Sequence, residues 1–360
     1  MRYFNYAAAA LALALAACSG GSDQSIPTID LSAAINASGP ADAAEIFEVK
    51  MVLSPEVTDS TLLSAYSTFC GTLNGNYYIA SDRTMIFDSE GKCLSSFDRK
   101  GNGPGEYGNY AAFCIDRANG GWLAFTGSSP HVYYSYSASG EFLGKGETNG
   151  LIFPTPIGNR WIATNSALNY PQFVLYYLNE QLQVVDSVAT PLYSKVFVIP
   201  GGKSAISPTI STDSDEALVY WNDSIYNVTS GCQPIAAVNL GAYAMPDDFN
   251  PMDNFDKLKD YLRANLYFTK HHFLLWASYD NRQMACFYNR TTGEPVAILS
   301  GTKEGIPGIL FPDGNGGSIS LSPCSFATDD SFYFRASDTA MSELTGNEDA
   351  NPAFFSVRLR

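Results

Sequence analysis

Short apolar and aromatic runs, separated by polar turns, recur along the chain. The clearest unit starts at the turn Asn74-Gly75, continues through apolar runs at 76–80 and 84–88, turns at Ser89-Glu90-Gly91 and ends with a run at 92–97. Runs of this length, bounded by Asn, Gly and Ser, are typical of β-strands joined by hairpin turns. The unit therefore predicts short strands in succession.

A second copy starts at Asn119-Gly120-Gly121 and turns again at Ala138-Ser139-Gly140. The displacement of about 45 to 49 residues is the length of a four-stranded blade of a β-propeller. Looser copies follow at 159–188, 217–228 and 273–293. Four tryptophans fall at related places in four successive units, and we expect them to wedge between blades. They are Trp122, Trp161, Trp221 and Trp276.

The remaining unit is split between the two ends of the sequence. Strand-like runs lie at Ser331–Phe334 and Phe354–Leu359 and, far upstream, at Ile46–Val52. One blade built from these runs would close the ring and cover its open edges. The prediction is an all-β fold, a six-bladed β-propeller over residues 45–360, closed by N- and C-terminal strands.

One segment departs from the strand pattern. Pro246–Leu266 places Phe255, Leu258 and Leu262 at three- and four-residue spacing, which predicts one inserted helix. Its apolar side packs most simply on the rim of the propeller. The alternative is a lid over the central channel, because long insertions are often functional.

The first residues have the pattern of an export signal. Arg2 precedes an unbroken run of Ala and Leu at 7–17, which is too short to span a bilayer. Leu15-Ala16-Ala17-Cys18 resembles a bacterial lipobox, so residues 1–17 are predicted to be removed and Cys18 to carry the lipid. The alternative is an ordinary signal peptide that contains a cysteine. Ser19 favours the outer membrane, because Asp at this place often retains lipoproteins in the inner membrane.

Residues 18–44 are rich in Ser, Ala, Gly and Pro, and this composition predicts a flexible tether. Aromatic residues make up 13% of the sequence, in keeping with strands. The net charge of −15 disfavours nucleic acid as a partner, since phosphate binding relies on Lys and Arg.

Besides Cys18 there are six cysteines, for which fifteen disulfide pairings are possible. They are Cys70, Cys93, Cys114, Cys232, Cys286 and Cys324. Free, buried thiols acting as small apolar side chains are the simpler interpretation. Cys70, Cys114 and Cys324 precede the polar turns of their units at similar distances, which predicts equivalent innermost strands; a thiol-lined metal or redox site is the less favoured alternative.

Three stretches resemble the six-bladed β-propeller lipoproteins of Gram-negative bacteria, which are related in shape to NHL and TolB-type propellers. They are Gly101-Asn102-Gly103-Pro104-Gly105-Glu106-Tyr107, the segment 222–241, and Asn351–Leu359. The resemblance covers most of the predicted mature chain. It implies a fold and a cell-envelope location, and it implies no reaction.

Other candidate sites are better explained as structure. The Gly-rich loop 101–107 lacks the Gly-Lys-Ser/Thr ending of a phosphate-binding loop, and Glu106 is expected to accept backbone hydrogen bonds. His271 and His272 are adjacent in a predicted strand and would point to opposite faces. Asp313–Ser318 is predicted to be a turn rather than a calcium loop, and 213–216 a solvated acidic loop.

The sequence thus predicts no catalytic residue, no metal ligand and no cofactor site. The favoured hypothesis is a membrane-anchored lipoprotein whose propeller binds a protein, peptide or glycan at one mouth of the channel, without catalysis. The alternative is a propeller enzyme, a lyase or hydrolase acting on a glycan or small ester.

Overall fold

The computed structural model describes residues 26–37, 39–40, 43–64, 67–108, 111–126, 131–148, 150–165, 172–193, 209–210, 215–221, 223–246, 249, 254–301, 306–314 and 316–360. Their strands form six sheets, four with four strands and two with five. The predicted six-bladed β-propeller is confirmed. No helix in these ranges is long and apolar enough to cross a membrane.

The first elements are β1 (Thr28–Asp30), a 3₁₀ helix (Ser32–Asn36), α1 (Ala43–Ile46) and β2 (Phe47–Leu53). Blade 1 contains β3 (Thr68–Leu73), β4 (Asn76–Ala80), β5 (Thr84–Phe87) and β6 (Cys93–Phe97). Blade 2 contains β7 (Ala111–Asp116), β8 (Gly121–Thr126), β9 (Val132–Tyr136) and β10 (Phe142–Glu147). Blade 3 contains β11 (Ile152–Ile157), β12 (Arg160–Thr164), β13 (Gln172–Leu178) and β14 (Val184–Tyr193).

Blade 4 contains β15 (Thr209–Ile210), β16 (Ala217–Trp221), β17 (Ser224–Asn227) and β18 (Gln233–Asn239). Two 3₁₀ helices follow, Gly241–Tyr243 and Phe255–Asp260. Blade 5 contains β19 (Arg263–Phe268), β20 (His272–Tyr279), β21 (Arg282–Asn289) and β22 (Pro295–Ser300). Blade 6 contains β23 (Ile309–Pro312), β24 (Ser318–Ala327), β25 (Phe332–Ala336) and β26 (Ala353–Leu359), with α2 (Asp338–Thr345) between the last two.

The ring closes as predicted, by pairing strands from the two ends of the sequence. β2 runs antiparallel to β26, from the pair Phe47 and Leu359 to the pair Leu53 and Phe354. β26 in turn pairs with β25. The outermost strand of blade 6 thus comes from the N-terminal side of the chain.

The antiparallel strands define two faces of the propeller. In blades 1 to 5, the turns between first and second strands and between third and fourth strands lie at one end, which we call the short-turn face; 88–92, 137–141 and 290–294 are examples. In blade 6, the turn 328–331 between β24 and β25 lies at this face. The connections between blades and between second and third strands lie at the other end, the long-loop face. It carries the long segments 54–67, 98–110 and 240–262.

The predicted tether, residues 18–44, is corrected over part of its length. β1 pairs in parallel with β18 and adds a fifth strand to blade 4. Leu31, Ala34 and Ile35 are buried against blades 4 and 5. The segment is held there because the Tyr288 hydroxyl donates to the carbonyl oxygen of Asp30 at 3.1 Å.

The predicted inserted helix is also corrected. Within the described part of 246–266, the helical residues are Phe255–Asp260, which form a short 3₁₀ helix, and residues from Arg263 onward form β19. Pairing along all of β19 with β20 outweighs the helical spacing of three apolar side chains. The segment lies on the long-loop face.

The core is divided among the six interfaces between neighbouring blades. Each interface has its own cluster of buried apolar side chains. The tryptophans lie at these interfaces, as predicted: Trp122 packs on Tyr78 of blade 1 at 5.2 Å between ring centroids, and Trp221 on Phe173 of blade 3 at 5.0 Å. Trp161 and Trp276 likewise contact a neighbouring blade.

Candidate functional site

The Gly-rich loop 101–107 lies between blade 1 and blade 2 and holds the two blades together. We call it the clamp. The carboxylate of Glu106 accepts a hydrogen bond from the backbone N–H of Gly103 at 2.8 Å, as expected from the sequence. The carbonyl oxygen of Gly105 accepts from the Tyr136 hydroxyl at 3.0 Å. A Cβ at Gly101 would meet the Glu106 carboxylate, so a side chain there would have to displace it from its hydrogen bond to Gly103.

Three thiols lie near the axis of the ring, on the innermost strands of three neighbouring blades. Cys70 is on β3, Cys114 on β7 and Cys324 on β24, which confirms the predicted placement. All six cysteines of the described chain are free thiols. Burial raises the pKa of Cys70 and of Cys324 to about 12, and raises that of Cys114 well above its usual range.

These raised pKa values make the three thiols weak nucleophiles, because the thiolate is the reactive form. In the part of the chain that the structure describes, no three His, Cys, Asp or Glu residues lie close enough to hold a metal ion.

The two adjacent histidines do not share a strand. His272 begins β20, whereas His271 lies in the preceding turn, and their ring centroids are 6.4 Å apart. Burial lowers the pKa of His272, and the neighbouring His271 lowers it further. Asp313 lies in the turn before β24 and accepts the N–H of Gly317 at 2.9 Å, as a turn residue does.

The acidic run 213–216 was predicted to be solvated. Residues 213 and 214 lie outside the described part of the chain, Asp215 is exposed as predicted, and the prediction is wrong for Glu216. Its carboxylate receives two hydrogen bonds from the Arg290 guanidinium, at 2.8 and 2.9 Å. Glu216 also accepts from the Asn227 side-chain amide at 3.2 Å. The ion pair joins blade 4 to blade 5, and its side chains are only 15% (Arg290) and 25% (Glu216) exposed.

Aromatic rings hold the Arg290 guanidinium in place. Its central carbon lies 5.3 Å from the ring centroid of Phe268 and 5.1 Å from that of Phe273. The same guanidinium donates to the carbonyl oxygen of Thr269 at 2.9 Å. Packing against aromatic rings stabilises the positive charge of the guanidinium and fixes its orientation.

This ion pair forms part of the wall of an open cleft of about 370 Å³ on the short-turn face. The other lining residues are Ile235, Lys270, Phe273 and Thr291. Ile235 belongs to β18 of blade 4, and Thr291 to the turn before β22 of blade 5, so the cleft lies between blades 4 and 5. Ligand binding at the channel mouth, expected from the sequence, stays a prediction.

The cleft offers a ligand both charge and hydrogen-bonding groups. Lys270 is exposed, and its backbone N–H donates to the carbonyl oxygen of Asp329 in blade 6 at 2.8 Å, which fixes the turn that carries the ammonium group. Thr291 adds a hydroxyl at the opposite edge. The arrangement suits a ligand with an acidic group for Lys270 and hydroxyl or amide groups for the remaining wall.

Sequence reasoning missed Lys270 and Arg290. Arg290 and Glu216 are 74 positions apart and belong to different blades. Nothing in the local spacing of either residue points to the other. Cys18 lies outside the described residues.

Comparisons with known proteins agree with the fold. A family described as "Domain of unknown function (DUF4934)" matches residues 26–353, and the chain belongs to this family. None of the curated proteins matches.

Among solved structures, the chain is similar to a protein from Bacteroides fragilis that is described as exported. The TM-score is 0.65 with 16% identity, over 93% of this chain and 99% of that one. It is also similar to BamB from Moraxella catarrhalis, with a TM-score of 0.41 and 14% identity over 87% and 100% of the two chains. At these identities the likeness concerns the fold alone.

Proposed function

We propose that this member of the DUF4934 family is a lipid-anchored protein of the cell envelope whose propeller binds a ligand without transforming it. Cys18 is the site of lipid attachment, and the outer membrane is the destination. The proposal is supported by the lipobox pattern at 15–18 and by a fold that starts close behind it, at β1.

The observation that carries the binding role is the cleft between blades 4 and 5. Its walls are preorganised, because Arg290 is held by Glu216, by two aromatic rings and by a backbone carbonyl. A rigid wall lowers the entropic cost of ordering side chains around a ligand. Arg290 and Glu216 in the wall are hydrogen-bonded to each other. The Lys270 ammonium, in contrast, belongs to an exposed turn.

The anchor is tested by replacing the acylated residue. Cys18→Ala should abolish incorporation of labelled palmitate and move the protein from the membrane fraction to the soluble fraction. Cys93→Ala removes a half-buried thiol of the fold and is the matched control. Membrane retention and palmitate labelling of the Cys18→Ala variant would contradict the anchor.

The binding role is tested with defined acidic probes. Native mass spectrometry of the purified propeller with uronate oligosaccharides, acidic peptides and their neutral counterparts should show a preference for the acidic members. Lys270→Gln should weaken that binding about tenfold, as expected for loss of one charge-assisted contact. Lys257→Gln, an exposed lysine on the long-loop face, is the control.

Two results would contradict non-catalytic binding in this cleft. One is equal affinity of the Lys270→Gln variant and the unaltered protein for every acidic probe. The other is a cleaved or otherwise altered probe after incubation, which would favour the enzyme hypothesis.

A further inference from the structure

The outermost strands place an exposed apolar side chain at the same position in four blades. The turn before each of these strands contains a residue with left-handed backbone: Gly91 (φ 84°), Gly140 (φ 83°), Leu182 (φ 60°) and Gly293 (φ 75°). The third residue after each is apolar: Leu94, Leu143, Val185 and Val296. These side chains are 53%, 51%, 64% and 37% exposed, respectively.

All four lie at the short-turn face, as the second residue of their strands. In blade 4, Ile26 lies at the same end, just before β1, and is 43% exposed. We call Ile26, Leu94, Leu143, Val185 and Val296 the apolar rim.

Single exposed apolar residues are ordinary on protein surfaces. The repetition at one structural position in four of the six blades is different, because it sets apolar side chains around much of one face. Exposed apolar surfaces with polar surroundings are typical of contacts with proteins or membranes.

The chain enters the fold at this same face. β1 is parallel to β18, which starts at the short-turn face, so Ile26 and Pro27 lie there too. A Cβ at Gly293 would lie 2.7 Å from the carbonyl oxygen of Thr28, which places the entering chain against the turn beside the cleft.

The distance to the anchor is short. Positions 19–25 separate Cys18 from Ile26, and a chain spans at most about 3.6 Å per residue, so Ile26 stays within roughly 30 Å of an acylated Cys18. This length of chain brings the apolar rim within reach of the membrane that holds the lipid.

We propose that the short-turn face is the membrane-facing surface of the protein. The apolar rim contacts the lipid head-group region, the long-loop face points away, and the cleft between blades 4 and 5 opens toward the lipid surface. This inference rests on the proposed acylation of Cys18.

The orientation is measured by energy transfer in vesicles of phosphatidylethanolamine and phosphatidylglycerol that contain acceptor-labelled lipids. The lipoprotein carries a donor dye on p-azidophenylalanine, which avoids the native thiols. Three exposed positions are compared: Thr292 and Ser139 in short turns of blades 5 and 2, which lie opposite each other, and Gln283 at the long-loop end of blade 5.

Transfer from positions 292 and 139 should exceed that from 283 by at least roughly twofold, because a strand rises about 3.3 Å per residue and the ends of a blade are about 20 Å apart. Equal transfer from all three would overturn the proposal. So would transfer from 139 as weak as from 283, which would mean that only the edge of blade 4 approaches the bilayer.

A matched pair of variants tests the apolar rim itself. Leu143→Ser combined with Val185→Ser should remove most of the difference between positions 139 and 283. Leu62→Ser combined with Leu344→Ser changes exposed apolar residues of the long-loop face and should leave it intact. If both pairs behave alike, the rim does not contact lipid.

A separate measurement shows whether the proposed lipid attachment is absent. Intact mass spectrometry of the reconstituted protein shows whether Cys18 is acylated. An acylated protein without a preferred orientation would overturn this inference and leave the anchor standing.

Discussion

Arg290 and Glu216 form a two-point ion pair across the interface of blades 5 and 4, with N–O distances of 2.9 and 2.8 Å. The pair is partly shielded from water and is surrounded by hydrogen bonds and aromatic rings. It serves both the wall of the cleft and the contact between two blades. A defect in either partner should therefore appear in stability as well as in binding.

Glu216→Gln and Arg290→Gln should each lower the free energy of unfolding by about 2 kcal/mol, because each leaves one charge of a largely buried ion pair unmatched. The residual exposure keeps the loss below that of a fully buried pair. Urea unfolding followed by circular dichroism measures the change. Glu294→Gln, an exposed carboxylate of the neighbouring turn, should stay within about 0.5 kcal/mol of the unaltered protein. Equal midpoints for all three variants would contradict the structural role of the pair.

Gly105→Ala tests the clamp between blades 1 and 2. Gly105 has a φ of 74°, and an added Cβ would lie 2.7 Å from the Phe142 ring. We expect a loss of about 2 kcal/mol from the left-handed backbone and the displaced ring. Gly108→Ala, where nothing lies within 4 Å, is the control. Thermal unfolding that does not separate the two variants would argue against the clamp.

Asn351→Ala should loosen the long-loop face. The side chain of Asn351 accepts from the N–H of Leu63 at 3.0 Å and donates to the carbonyl oxygens of Glu56 and Thr61 at 2.8 and 3.0 Å. Its loss leaves the N–H of Leu63 and the carbonyl oxygen of Thr61 unpaired, whereas the carbonyl oxygen of Glu56 still accepts from the Thr61 hydroxyl; the loss should cost about 3 kcal/mol. Hydrogen exchange at the Leu63 amide should become faster.

The control for this variant is Asn347→Ala, an exposed residue whose side chain accepts only the N–H of Asp349. It should leave the exchange at Leu63 unchanged. Slow exchange at Leu63 in the Asn351→Ala protein would show that other contacts hold the 54–63 segment.

The buried thiols should resist alkylation. With a pKa of about 12, the thiolate fraction of Cys70, Cys286 and Cys324 at pH 8 is about a thousandfold below that of a free thiol. Iodoacetamide followed by peptide mass spectrometry should modify Cys93 sooner than these three, and all of them alike in guanidinium. Labelling of native Cys70 as fast as Cys93 would contradict the burial.

The architecture could be predicted because the same pattern of strands and turns recurs in each blade of a propeller. Turn pairs such as Asn74-Gly75 and the runs behind them recur at blade length, so each copy supports the others. The ring closure followed from strand patterns at both ends. Single-copy elements were harder: β1 has only three residues, and its partner β18 is about two hundred positions away.

Local sequence patterns gave wrong predictions where pairing between strands determined the secondary structure. Phe255, Leu258 and Leu262 have helical spacing, yet the chain leaves the 3₁₀ helix after Asp260 to pair with β20. Conversely, α2 was not predicted, although Ser337 caps its start by accepting the N–H of Ala340 at 3.1 Å. The cleft is formed by residues from two blades that are far apart in the sequence. No local sequence pattern therefore indicates it.

The pairing of β2 with β26, which closes the ring, can form only after the whole chain has been made, and it therefore constrains the order of folding. Ser356 of β26 and Lys50 of β2 are hydrogen-bonded neighbours although 306 positions separate them. During synthesis, β2 therefore lacks its partner strand until the five other blades have been made. Pairing between such distant segments is slow and leaves a strand edge open to other chains. Chaperone protection should matter most during this interval, and a sequence rearranged so that β2 follows β26 directly should fold faster and aggregate less.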